Sequence, residues 1–113
     1  MSEEKKYSFT IFMEEIDGVH VVHALEAGML ATDDEPERAV FKLSKMLIRH
    51  VLFAEKNNRQ DEIFHPSPAD VWKRFSASQK AGGARVIEER KRWVSPGVIL
   101  NQNFYATAGE LCA

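Results

Sequence analysis

Tyr7-Ser8-Phe9-Thr10-Ile11-Phe12-Met13-Glu14-Glu15-Ile16-Asp17-Gly18-Val19-His20-Val21-Val22-His23-Ala24 carries the clearest structural signal in the chain. Tyr7, Phe9, Ile11 and Met13 fall on one side, with Ser8, Thr10, Phe12 and Glu14 on the other. That alternation, filled with aromatic and β-branched residues, predicts a strand. Asp17-Gly18 is a turn dipeptide, because glycine takes positive φ without steric cost. Val19–Ala24 then reads as the return strand of a hairpin. Beyond Glu26-Ala27-Gly28, Met29–Thr32 predicts a short third strand.

The period then changes. Thr32-Asp33-Asp34-Glu35-Pro36-Glu37 offers capping side chains, acids at the positive end of a helix dipole, and a proline in the first turn. No Gly or Pro interrupts from there to Lys56. Val40, Leu43, Leu47, Val51 and Ala54 form one helical stripe, and Phe41, Ile48 and Leu52 a second beside it. Together they are wider than one core-facing face requires. Either the helix is buried between the sheet and the C-terminal segment, or the second stripe packs against another subunit.

Ser67-Pro68-Ala69-Asp70 predicts a second helix start: a Ser cap, a proline at the first helical position and an acid three residues after the cap. Val71, Trp72 and Phe75 give that helix an apolar face, and Gly82-Gly83 stops it. Residues 84–94 fit a helix better than a strand. Val86, Ile87, Trp93 and Val94 recur at helical spacing, and Glu88 to Arg92 is a well-oriented i,i+4 pair. Ser95-Pro96-Gly97 is a turn, and Val98–Ala106 a last strand.

The fold class expected is therefore α+β: an antiparallel sheet packed on one long helix in a β-β-β-α-β core, with an extra C-terminal helix. The 113 residues suit one domain, with 7–56 as its core and 57–113 as an extension. At 44% hydrophobic and 28% charged residues, the balance is that of a folded globular protein. The lone cysteine, Cys112, excludes a disulfide framework within the chain. No apolar run reaches the roughly 18 residues of a membrane span, and the N-terminus lacks the apolar region of a signal peptide. The cytoplasm is the compartment expected. Residues 1–56 carry 7 Lys/Arg against 11 Asp/Glu, a net of −4, and residues 57–113 carry 8 against 6, a net of +2. The basic side lies in the second half, but no strongly basic face marks a nucleic-acid binder.

The first half resembles the HicB-like antitoxin family. The likeness lies in the strands Tyr7–Met13 and Val19–Ala24, the step Leu25–Gly28, the cap Asp33–Glu35 and the helix opening at Glu37–Ala39. It covers about half of the chain. It implies a partial RNase H-like fold, a homodimer and a protein partner such as a toxin. Residues 57–113 lack the helix-turn-helix or ribbon-helix-helix segment by which such antitoxins bind DNA, so the likeness points to a protein-binding module.

Chemistry is sparse. His20 and His23, three apart on a strand, point to opposite faces and cannot easily share a metal. Glu14, Glu15 and Asp17 cluster at the hairpin, and Asp33, Asp34 and Glu35 at the helix cap. Paired carboxylates can hold a divalent metal for phosphodiester cleavage, but turn and cap roles account for both clusters. No phosphate loop, nucleophile elbow or zinc spacing occurs. No catalytic residue, metal or cofactor is expected, and a metal-dependent RNase H-like nuclease is the weakest alternative. The predicted dimer or partner surface comprises Phe41, Ile48, Leu52, Trp72 and Phe75. A nucleic-acid-binding regulator is the other alternative, through Arg85, Arg90, Lys91, Arg92 and Trp93: arginines neutralise phosphates and an exposed aromatic can stack on a base.

Overall fold

The alternating stretch folds as a hairpin of β1 (Lys5–Ile16) and β2 (Val19–Ala24), with Met13 opposite Val22 and Ile16 opposite Val19. Asp17 and Gly18 have φ of 52° and 80°, both positive, as a two-residue hairpin turn of right-handed twist requires. The structure, a computed structural model, describes residues 4–80 and 86–106, apart from the side chains of residues 79, 80, 86, 87 and 106. After a 3₁₀ turn at Leu25–Ala27, β3 (Met29–Asp33) pairs antiparallel with β2. Helix α1 (Pro36–Lys56) follows, then a 3₁₀ turn at Gln60–Glu62 and helix α2 (Ala69–Lys80). Strands β4 (Val86–Ser95) and β5 (Val98–Ala106) close the chain order, joined by a turn with Gly97 at φ 80°.

One five-stranded sheet runs in the order β3-β2-β1-β5-β4. β5 lies parallel to β1 and antiparallel to β4, so the sheet is mixed and not the antiparallel one expected. The reason is topological. The chain leaves β3, crosses one face as α1 and the other as α2, and re-enters at the edge as β4; the β4–β5 hairpin then turns it inward, so that β5 runs beside β1 in the same direction. The last strand completes its own sheet centrally, making residues 86–106 integral to it.

The helical reading of residues 84–94 is corrected for its described part: from Val86 onward the chain is strand. β4 is the sheet's edge, and both of its faces carry charge. Glu88, Arg90 and Arg92 alternate with Glu89, Lys91 and Trp93, so polarity shows no period of two, and the Glu88–Arg92 spacing mimicked a helical pair.

Each sheet face buries its own cluster. On one, Ala39, Val40, Leu43, Leu47, Val51 and Ala54 of α1 join Phe9, Ile11, Val22, Leu100 and Phe104. On the other, Val71 and Phe75 of α2 join Phe12 and Leu25. Burying an aromatic of that size contributes roughly 2–3 kcal/mol against leaving it in water. The chain passes between the two faces along the end of β2. There the Ser67 N–H donates to the Leu25 carbonyl at 2.8 Å, and the Phe64 ring stacks on Phe9 at 5.6 Å. Gly28 sits at the crossing with φ 64°, and a Cβ there would lie 2.3 Å from the His65 carbonyl oxygen. Conformation and space both demand glycine. No helix among the described residues is long and apolar enough to cross a membrane.

Candidate functional site

Alternation along β1 turns Glu14 to the same face as Phe12, under α2. The register sets His23 opposite Phe12, so their rings stack at 5.8 Å and His23 reaches Glu14. His23 donates through Nε2 to Glu14 Oε2 at 2.8 Å. Arg74 of α2 donates through Nε to Oε1 at 2.8 Å and through Nη2 to Oε2 at 3.2 Å. Asp70, one helical turn earlier, accepts from Arg74 Nη1 at 3.2 Å. Glu14 is 7% exposed and His23 3%.

Burial pushes the Glu14 carboxyl up. The Arg74 and His23 hydrogen bonds, with the charges behind them, outweigh burial and hold it below the usual carboxylate range. Both oxygens are engaged and water is nearly excluded, so the carboxylate is no open general base. What the network does is seat α2 on the sheet. Glu14 was visible in the sequence as a member of the hairpin cluster. Its burial was signalled only by its parity with Phe12, and its partner lies 60 residues away.

Asp33 fastens α1 in the same manner. It accepts from Lys42 Nζ at 2.8 Å, from the Glu35 N–H at 3.0 Å and from Arg38 Nε at 3.0 Å, and these bonds hold its carboxyl well below the usual range. Among the described residues, no group of three or more His, Cys, Asp or Glu is placed to hold a metal ion. His50, Phe53, Arg59, Glu62 and His65 line a cavity of about 220 Å³. That is smaller than the roughly 300 Å³ at which small-molecule sites begin, and His50 there lies 3.0 Å from the Ile63 carbonyl.

The residues singled out from sequence divide by position. Phe41 is 63% exposed, whereas Ile48 and Leu52 on the same flank of α1 are half-buried. Phe75 is corrected: it is 8% exposed, between the rings of Phe12 at 5.3 Å and Tyr105 at 5.1 Å, and offers no partner surface. Trp72 is half-buried against the same cluster. Met46 and Phe53, outside the predicted partner surface, are exposed on the outer side of α1. Their i,i+7 spacing was the available signal.

Arg85 lies outside the described residues. In β4, Arg90 and Arg92 pair in register with Gln102 and Leu100 on the α1 side, while Lys91 and Trp93 pair with Asn101 and Ile99 on the opposite side. Arg90 is bonded to Glu88 and lies 4.8 Å over the Phe104 ring, and Lys91 is 3.5 Å from Glu89. The basic run is thus split between faces and paired with acids along its own strand. Compared with protein-family models, with curated proteins and with solved structures, the chain matches none of them.

Proposed function

We propose that this chain is a non-catalytic protein-binding module, resembling HicB-type antitoxins, that docks a protein partner on the outer face of α1. The observation that carries the reading is an apolar surplus on that face. Phe41 and Phe53 are 63% and 60% exposed on the two flanks of that side, with Met46 on the flank of Phe53. A soluble fold gains nothing by exposing two phenylalanines on one helix, and aromatic patches with a polar rim are the mark of interfaces. Lys42, Lys45 and Arg49 interleave with them, which suits a partner with acidic side chains. Lys45 lies 5.2 Å over the Phe41 ring. Three strands followed by a long helix, with a strand returning beside β1, support the HicB-like part of the reading. The partner is then a cognate protein, toxin-like on the resemblance to HicB-type antitoxins.

The test is photo-crosslinking in cells, with a benzophenone amino acid at position 41, 53 or, as a control on α2, 73. Positions 41 and 53 give one adduct of the same mass, and 73 gives none. Equal adducts from all three positions remove the docking surface. A Mg²⁺- or Mn²⁺-dependent nuclease activity abolished by Glu14→Gln removes the non-catalytic reading. One observation favours a nucleic-acid reading as the second choice: Trp93 is 58% exposed and shares its sheet face with Lys91. A salt-dependent gel shift lost in Trp93→Ala decides for it.

A further inference from the structure

β4 ends the sheet, and among the described residues nothing pairs with its outer edge. The opposite edge, β3, has five residues; β4 has ten. The β4 register slips between Val86 and Glu88 and again between Trp93 and Ser95, leaving 88–93 as a regular run. Charge on an edge strand ordinarily deters pairing with a second chain. In this strand its order does the reverse. Glu88-Glu89-Arg90-Lys91-Arg92 reads acid, acid, base, base, base. When two antiparallel copies pair about a two-fold axis perpendicular to the sheet, residues directly opposite share a face, so one residue must lie on the axis.

With Arg90 on the axis, Glu88 stands opposite Arg92 of the second copy and Glu89 opposite Lys91. By symmetry the interface holds four such opposite-charge pairs. Moving the axis by one residue destroys the pattern. On Lys91 it sets Arg90 against Arg92. On Glu89 it keeps two Glu88–Arg90 pairs in place of four pairs, sets the two Glu89 side chains against each other and leaves Lys91 and Arg92 without acids opposite. At the preferred axis the one like-charge meeting is Arg90 with itself. Its guanidinium is already drawn toward β5, over Phe104 and onto Glu88, away from the free edge.

We infer that β4 is a self-complementary edge through which two copies of this chain pair antiparallel, in register about Arg90, joining two five-stranded sheets into one of ten. This rests on β4 alone and is independent of the docking role given to α1.

The experiment is light scattering during size exclusion at micromolar to hundred-micromolar concentrations, with two charge variants. Glu88→Arg/Glu89→Lys makes the run wholly basic, and Lys91→Glu/Arg92→Glu makes it acidic around Arg90. The unaltered chain elutes at twice its 12.9 kDa mass. Each variant, with unaltered circular dichroism, runs as a monomer with self-association weakened at least tenfold. An equimolar mixture of the two regains the dimer mass, because 88 and 89 of one now face 92 and 91 of the other with opposite sign. Should a half-variant fail to fold, the fourfold swap carries the test. It dimerises with itself, and isotope-labelled mass spectrometry finds no mixed dimer with the unaltered chain. A monomeric unaltered chain, variants that still dimerise, or a mixture that stays monomeric overturns the inference, as does a fourfold swap that pairs with the unaltered chain.

Discussion

Replacing Arg74 by methionine keeps most of the side chain's apolar stem and removes its charge. What it leaves behind is a Glu14 carboxylate with 9% side-chain exposure and His23 as its remaining hydrogen-bond donor. At a separation of 2.8 Å, two unit charges attract by about 6 kcal/mol at an effective dielectric near 20. Desolvation and side-chain ordering offset much of that. Stranding a fully buried charge costs about 3–5 kcal/mol. Arg74 itself is 42% exposed, so water replaces part of what is lost, and the expected cost is about 2–3 kcal/mol. In a domain of this size that lowers the Tm by roughly 8–12 °C. Urea unfolding at pH 7, followed by circular dichroism, reads the cost directly.

The pH dependence separates an electrostatic seat from a packing effect. In the native chain the Glu14 carboxyl is held below its unfolded value. Between the two values the unfolded chain binds more protons, so stability rises with pH. This contribution is complete above the ordinary carboxylate value of about 4.3 and is lost as pH falls through the lower folded value. Without Arg74, burial pushes the carboxyl up against His23 alone, so the contribution of Glu14 to the acid-side slope vanishes or changes sign. Glu14→Gln removes it entirely and is the reference, since other carboxylates contribute equally to both curves. If Arg74→Met costs less than about 0.5 kcal/mol, the size of an ordinary surface change, or keeps the native slope, Glu14 and Arg74 do not seat α2.

Gly28→Ala loses at least about 2 kcal/mol, because the left-handed backbone strains any side chain and the new Cβ meets the His65 carbonyl. Gly18→Ala, also at positive φ but with nothing within 4 Å, loses only the conformational part; equal losses in thermal unfolding refute the close approach. Phe75→Ala costs about 3–5 kcal/mol and raises amide exchange along α2, whereas Phe41→Ser stays within about 0.5 kcal/mol. Similar losses at the two positions refute the division into core and surface.

The parts of the fold legible in the sequence are those whose two sides differ. β1 alternates because one face meets α1 and the other meets solvent and α2. α1 shows its period because its buried stripe, from Val40 through Leu43, Leu47 and Val51 to Ala54, recurs every three or four residues opposite Lys42, Lys45 and Arg49. The Asp17-Gly18 turn and the Pro36 and Pro68 helix starts are local chemistry, and they stand where expected. β4 misled because an edge strand with two partly wet faces has no apolar side to set a rhythm. Phe75 misled differently. Its place on an amphipathic helix follows from local spacing, but which sheet face α2 covers depends on the crossing at Gly28 and Leu25, an encounter of segments some 40 residues apart. The Glu14–His23–Arg74 network is of the same kind: two of its members sit in one hairpin, and the third arrives only through that crossing.

The proposed function is assigned to the surfaces because the buried charged groups are already paired with one another. Glu14, His23 and Arg74 are consumed in seating α2, and Asp33 with Lys42 and Arg38 in seating α1, so the best-placed acids and bases already answer to one another. The unspent features are apolar groups on α1 and a self-matching edge on β4, and their geometries are compatible. A two-fold axis perpendicular to the sheet keeps both α1 helices on one side of it. Helix α1 packs over β2 and β3, and its flank that carries Phe41 and Ile48 also carries Glu37 and Ser44, which face β4 and β5 through Arg90 and Gln102. Were the two edges to pair as inferred, the Phe41 flanks of both helices would look toward one another across the joined strands. Met46 and Phe53 lie more than about 100° further round the helix, so they would stay on the outer flanks, and pairing through β4 would leave that part of the docking surface open.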